Sequence, residues 1–285
     1  MNSNEWPLVF FTLFSQASAG IMLAVCMMYF LMRADAASAW VEYRRTAAMV
    51  ALVLMGMALV ISFLHLSRPL ASVFAVTNLQ VSWLSREIIL AGIFFLLTAI
   101  LLLFQGNAAG RWGEFLTAGS GLVGLLLVYS MVRLYMIPTV PVWNNPSTPL
   151  AFFSSTLLLG TLAGLVVMVF LAGRAGHADL PQHAARLLVV LVIAGAVLQI
   201  GNSLYVWFGQ TLAEGSFPPP ELPVMFRVLQ ALLMVAGMAA MVAWYLRGMP
   251  LQGHTVWLYV AVAGIFSAEL LGRFIFYASY YRLGV

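Results

Sequence analysis

The sequence predicts an all-α protein, a polytopic integral-membrane bundle of eight transmembrane helices. Three observations carry this prediction. Hydrophobic residues make up 63% of the 285-residue chain and charged residues only 8%, whereas a soluble domain needs roughly a quarter of its residues charged. Apolar, nearly charge-free intervals of about 20 residues, the length that crosses a bilayer, recur along the sequence. Between them stand clusters of proline, glycine and charge of the kind that punctuates loops. Because lipid offers no partner to a free amide, each interval is read as a helix, and residues 1–285 as a single transmembrane anchor domain.

The first span is placed at 8–32, behind Asn2, Ser3, Asn4 and Glu5. That start lacks the basic segment of a secretory signal, and the apolar run is too long for one, so a retained helix is expected. The second span, 46–66, follows Arg44 and Arg45 and carries His65 at its end. The third, 87–105, opens on Glu87 directly after Arg86, and the fourth is placed at 115–136. The brief connection from Gln105 to Glu114 makes these two antiparallel neighbours. The fifth span, 150–172, lies beyond a linker punctuated by Pro138, Pro141, Pro146 and Pro149. After the sixth span, 185–207, Pro218, Pro219, Pro220 and Pro223 precede the seventh at 224–246. A short turn from Arg247 to His254 leads into the eighth, 255–277.

Charge narrows the function. Thirteen arginines and no lysine stand against nine acids, too sparse for a nucleic-acid-binding patch. Cys26 is the only cysteine, so the protein closes no internal disulfide and cannot supply four thiolates to an iron–sulfur cluster. An even number of spans puts both termini on one side. Seven arginines (Arg33, Arg44, Arg45, Arg111, Arg174, Arg186 and Arg247) fall in the odd-numbered loops and six on the other face. Discounting Arg86, Arg133, Arg227 and Arg273, which lie in or at the ends of helices, leaves Arg68 and Arg282 opposite those seven. The arginine rule then places both termini in the periplasm.

Ionisable residues inside a membrane protein cost several kcal/mol unless paired, hydrated or used. Here they gather on the face that carries both long loops. His65 and Glu87 end and begin adjacent spans; Arg133, Glu269 and Arg273 approach the same side. Glu87 reads either as a helix-start carboxylate paired with Arg86 or Arg68, or as a proton acceptor in a rim pocket. His65 reads either as a hydrogen-bonded interfacial histidine or as a group that orients a ligand hydroxyl. With His177, His183 and His254 on the opposite face, a bis-histidine haem site is excluded. Glu269 and Arg273, four residues apart, share a helix stripe and are expected to pair. Tyr129, Arg133 and Tyr135 are expected to support that pair or to line a quinone-sized pocket. Gly160 and Gly164 form a G-x-x-x-G step that marks close helix packing.

These residues sit within longer motifs: Asn4, Glu5, Trp6, Pro7 and Leu8; Phe14, Ser15, Gln16, Ala17 and Gly20; His65, Leu66, Ser67, Arg68 and Pro69; Leu84, Ser85, Arg86, Glu87 and Ile88. Further along come Met131, Val132, Arg133, Leu134 and Tyr135, then Val140, Pro141, Val142 and Trp143, and finally Glu269, Leu270, Leu271, Gly272 and Arg273. Together they span almost the whole sequence. In them it resembles the DmsC-like membrane-anchor subunits of dimethyl sulfoxide reductase and related molybdenum oxidoreductases. The resemblance implies an eight-helix anchor of the bacterial cytoplasmic membrane, embedded among lipids, that oxidises menaquinol and holds no haem or iron–sulfur cluster itself. It implies two partners, an iron–sulfur electron-transfer subunit and a molybdopterin catalytic subunit.

By the same resemblance the family's functional carboxylate is Glu87 and its quinol-associated histidine His65, with Arg86, Arg133 and Tyr135 counted in the quinol-binding region. One departure stands out: the residue before the carboxylate is often asparagine in the family and is Arg86 here, a cation expected to neutralise Glu87. The runner-up is an anchor for another molybdenum or sulfur-compound oxidoreductase. A secondary transporter is a third class, disfavoured because the sequence shows no convincing internal repeat and no matching pair of broken helices.

Overall fold

The computed structural model describes residues 6–32, 37–65, 78–103, 111–174, 181–212, 224–249, 251 and 255–280. Eight long helices account for most of them: α1 (Trp6–Met32), α2 (Ala37–His65), α3 (Trp83–Leu103), α4 (Arg111–Tyr135), α5 (Ser147–Ala172), α6 (Gln182–Leu212), α7 (Val224–Leu246) and α8 (Val256–Ala278). All eight are long and apolar enough to cross a membrane, and no strand occurs among the described residues. The fold is therefore an all-helical membrane bundle.

α2 starts at Ala37 rather than near 46, which moves Arg44 and Arg45 from a loop into a helix. Arg44 is tolerated there because its guanidinium lies 5.9 Å from the Trp40 ring centroid, with Glu114 in electrostatic range. Arg111 and Arg186, also read as loop residues, are helical as well. Arg33, Arg68 and Arg282 fall outside the described residues.

α1 and α5 are the most buried spans and form the centre. α1 contacts α2, α4, α5 and α8, while α5 also packs on α6. Without a hydrophobic drive between helices in lipid, such contact depends on close backbone approach. Gly20 supplies it, since a Cβ there would stand 2.8 Å from Gly160 Cα and would also overlap the Thr156 carbonyl. Gly164 faces Tyr43 Oη, where an added Cβ would lie 2.8 Å away. The G-x-x-x-G step thus seats α5 against both α1 and α2. On one flank α3 pairs with α4; on the other α7 pairs with α8 through Gly237 and Gly264. Outward faces are apolar, as Phe30, Leu103, Leu122, Leu232 and Val256 show, which suits a hydrocarbon surround.

Candidate functional site

One end of the bundle collects polar side chains from six helices. It is the end where α2, α4, α6 and α8 finish and α3, α5 and α7 begin. Glu87 lies four residues into α3, about 6 Å from its start at ~1.5 Å per residue. Its side chain is 2% exposed and its Oε2 has no hydrogen-bond partner among the described residues. The reason it is buried is rotational: Ser85, Glu87, Ala91 and Phe94 share the inward stripe of α3.

Arg86 goes elsewhere. One residue on is about 100° around a helix, and its Nε and Nη2 donate to the Leu79 and Gln80 carbonyls at 2.9 and 2.7 Å. Its guanidinium lies 4.1 Å from the Trp83 ring centroid. The cation expected to neutralise Glu87 instead closes the turn before α3. Arg133 stacks on the same Trp83 ring at 5.4 Å, and Tyr129 meets it edge-on at 5.8 Å. Both are exposed, so neither supports the Glu269–Arg273 region as expected from the sequence.

Tyr135 does reach inward. Its Oη is 2.7 Å from Tyr277 Oη, which in turn is 3.5 Å from Thr12 Oγ1. Trp143, Phe152 and Phe276 pack around the tyrosine pair, and Glu87 is within electrostatic range of both hydroxyls. Trp143 is itself fixed by a hydrogen bond from Nε1 to the Phe276 carbonyl at 3.0 Å. The proline-rich linker before α5 therefore closes over the tyrosines rather than standing away from the bundle.

Deeper still lies a charged network. Glu269 is about 14 Å from the end of α8, well below the rim expected for it. Glu269 and Arg273 share the buried stripe of α8, at 3% and 4% exposure. Ser155 Oγ joins them, donating to Glu269 Oε2 at 2.5 Å and accepting from Arg273 Nη2 at 3.3 Å. Gln199 Nε2 reaches the two Glu269 oxygens at 2.8 and 3.0 Å, and Arg273 Nη2 donates to Gln16 Oε1 at 2.7 Å. Phe152 lies beneath the guanidinium at 4.1 Å. The i,i+4 pair is thus a four-helix junction of α1, α5, α6 and α8.

Ser155, Gln199, Asn202 and Tyr277 do not stand out in the sequence, and Gln16 does so only within a motif. Their legible signal is an amide or hydroxyl stranded in a long apolar run. The network borders a cavity of about 460 Å³ between α5, α6, α7 and α8. His65 ends α2, but its side chain lies outside the described residues, as do His177 and His254 and the connections 66–77 and 213–223. Among the described residues no three histidine, cysteine or acidic side chains come together to hold a metal.

A multi-pass helical membrane protein that buries an acid–arginine network, a second acid and a tyrosine pair at one end is built as a membrane component for lipid-soluble or proton chemistry, not as a passive span. Similarity to known proteins gives the family: the sequence matches the DMSO reductase anchor subunit (DmsC) family over residues 1–279, and the protein belongs to it. It is 30% identical over 291 aligned residues to the C subunit of anaerobic dimethyl sulfoxide reductase from Escherichia coli strain K12, an alignment that takes in 99% of this protein and 97% of that one. It is 28% identical over 285 residues to the anaerobic dimethyl sulfoxide reductase subunit YnfH of the same organism, again across 99% and 97%. The C subunit of the Haemophilus influenzae reductase is 28% identical over 167 residues, 58% of this protein and 59% of the relative.

Proposed function

We propose that this anchor oxidises menaquinol in a bacterial cytoplasmic membrane and passes the electrons to an iron–sulfur partner, which feeds a molybdopterin subunit that reduces dimethyl sulfoxide or a related compound. The observation that carries the reading is Glu87, a buried carboxylate with an unpartnered oxygen two turns or less from the helix start. A buried acid without a fixed partner is costly as a structural device and useful as a proton acceptor.

Quinol oxidation releases two protons and two electrons. In this protein Glu87 takes a proton, directly or through water, and the Tyr135–Tyr277 hydroxyls beside it offer a polar neighbourhood for that charge. His65, at the end of the neighbouring α2, hydrogen-bonds a quinol oxygen. Arg86 and Arg133, gripped by Trp83, form the basic outer rim of the same region. Apolar helix surfaces hold the ring and tail, and the partner's cluster accepts the electrons, so the anchor contributes position and proton release. With both termini and this end in the periplasm, protons leave on the side where the terminal reduction takes them up.

The test is affinity purification of the tagged protein from anaerobically grown cells. Copurifying iron–sulfur and molybdopterin subunits, with cluster reduction on addition of a menaquinol analogue, are expected. An anchor that purifies without redox partners and instead drives solute uptake in vesicles would overturn the reading.

A further inference from the structure

The cavity beside Glu269 is separate from the Glu87 region: neither Glu87 nor Tyr135 is among its lining residues. Its polar wall comes from Ser155, Gln199, Asn202, Glu269 and Arg273. Two of these are incompletely satisfied. Asn202 is 7% exposed and its Oδ1 lacks a partner; Arg273 is 4% exposed and its Nη1 lacks one. Such atoms are rare in buried settings and call for an explanation. The other wall is apolar, with Trp207, Leu232, Val235 and Phe276 facing the space.

We propose that this cavity is a second quinol-class site, taking the hydroxyl-bearing ring of a lipid-soluble hydroquinone with Asn202 and Arg273 recognising its oxygen. The inference rests on the quinol reading above and gives the same ligand class a second position, deeper in the bundle. Three arguments select the ligand. A phenolic hydroxyl both donates and accepts, so one group answers the acceptor on Asn202 and the donor on Arg273. A phosphate only accepts, and would meet the Glu269 carboxylate, whose oxygens already receive Ser155 and Gln199. A bare acyl tail would leave both orphan atoms unanswered.

Size and access agree. The volume falls within the roughly 300–1,000 Å³ of ordinary small-molecule pockets, enough for a fused ring system. Leu232 and Val235 line the cavity and are also exposed on the outward side of α7, at 62% and 47%. α7 is thus a thin wall between the cavity and the lipid, and a membrane-dissolved ring reaches the cavity laterally. The ring edge lies against Trp207 and Phe276, as aromatic faces favour.

The experiment uses native membranes holding the assembled complex and a photoreactive azido-naphthoquinone, with labelled peptides located by mass spectrometry. Label is expected on residues 202–208, 227–235 or 272–279, displaced by excess unlabelled naphthoquinol. Asn202→Leu, and independently Ala231→Phe on the exposed face of α7, should lower this labelling several-fold, while Glu87→Gln leaves it intact. Label confined to the start of α3, or cavity label that neither competitor nor variant reduces, would overturn the proposal. Quinol oxidation measured on the same membranes separates the two readings. Intact oxidation without competed cavity label removes the second site alone; absence of both removes the quinol function with it.

Discussion

Replacing Gly160 with alanine should destabilise the protein more than any other single added methyl at a glycine of the central helices. The new Cβ would overlap the Gly20 backbone, and the reciprocal change at Gly20 places a Cβ 2.8 Å from Gly160 Cα. Both obstacles are main-chain atoms, so nothing flexible can swing aside and α1 and α5 must separate. Overpacking of a tight interior costs roughly 1–3 kcal/mol, and a backbone-on-backbone clash belongs at the upper end. Alanine gains about 1 kcal/mol of helix propensity over glycine, which leaves a net loss of about 2 kcal/mol. That lowers the folded-to-unfolded ratio about 30-fold. Gly92→Ala is the control, because a Cβ there meets nothing within 4 Å. Unfolding of the purified protein in mixed micelles by increasing SDS, followed by circular dichroism, reads both variants. Equal midpoints for Gly160→Ala and the native protein, or an equal loss in Gly92→Ala, would refute the packing argument.

The buried network makes a second pair of predictions. Glu269→Gln keeps an acceptor for Ser155 and Gln199 and should assemble near normally, whereas Glu269→Leu leaves Arg273 buried without its acid and should cost about 3–5 kcal/mol in the same unfolding assay. Topology is checked by impermeant thiol labelling of intact cells on a Cys26→Ser background: Asn144→Cys, in the linker before α5, should label from outside, and Arg174→Cys, past the end of α5, should not. The reverse pattern would invert the orientation. At the rim, Trp83→Leu removes the ring shared by Arg86 and Arg133. Each exposed cation–π contact contributes about 0.5–1 kcal/mol, so crosslinking yield from Arg133→Cys to the iron–sulfur partner should fall while the helices stay intact by circular dichroism.

The helices are legible in the sequence because membrane spans advertise themselves by length and apolarity. Their ends are less so: Arg44 and Arg45 read as a loop, yet Trp40 and Glu114 let α2 continue around them. The rim acids and tyrosine are legible from type and position, and Glu87 and Tyr135 do turn inward. What a single sequence does not show is rotation. Arg86 stands next to Glu87 in the sequence and faces another way, while Tyr129 and Arg133 lie on the outside of the helix that carries Tyr135 inward. The junction of Gln16, Ser155, Gln199 and Arg273 unites residues as far apart as 16 and 273, a long-range meeting that no local spacing encodes. The Glu269–Arg273 spacing points to one edge of it, and the serine between them has to come from α5.

The central claim is that Glu87 accepts a quinol proton. Glu87→Gln preserves most of the side-chain volume and removes only the acid–base function. In purified complexes matched for subunit content, menaquinol-dependent reduction of the partner's cluster should fall at least tenfold, about 1.4 kcal/mol of barrier. Reduction by a low-potential dye that bypasses the anchor should stay at the native rate. Native quinol-driven rates in Glu87→Gln would contradict the account outright.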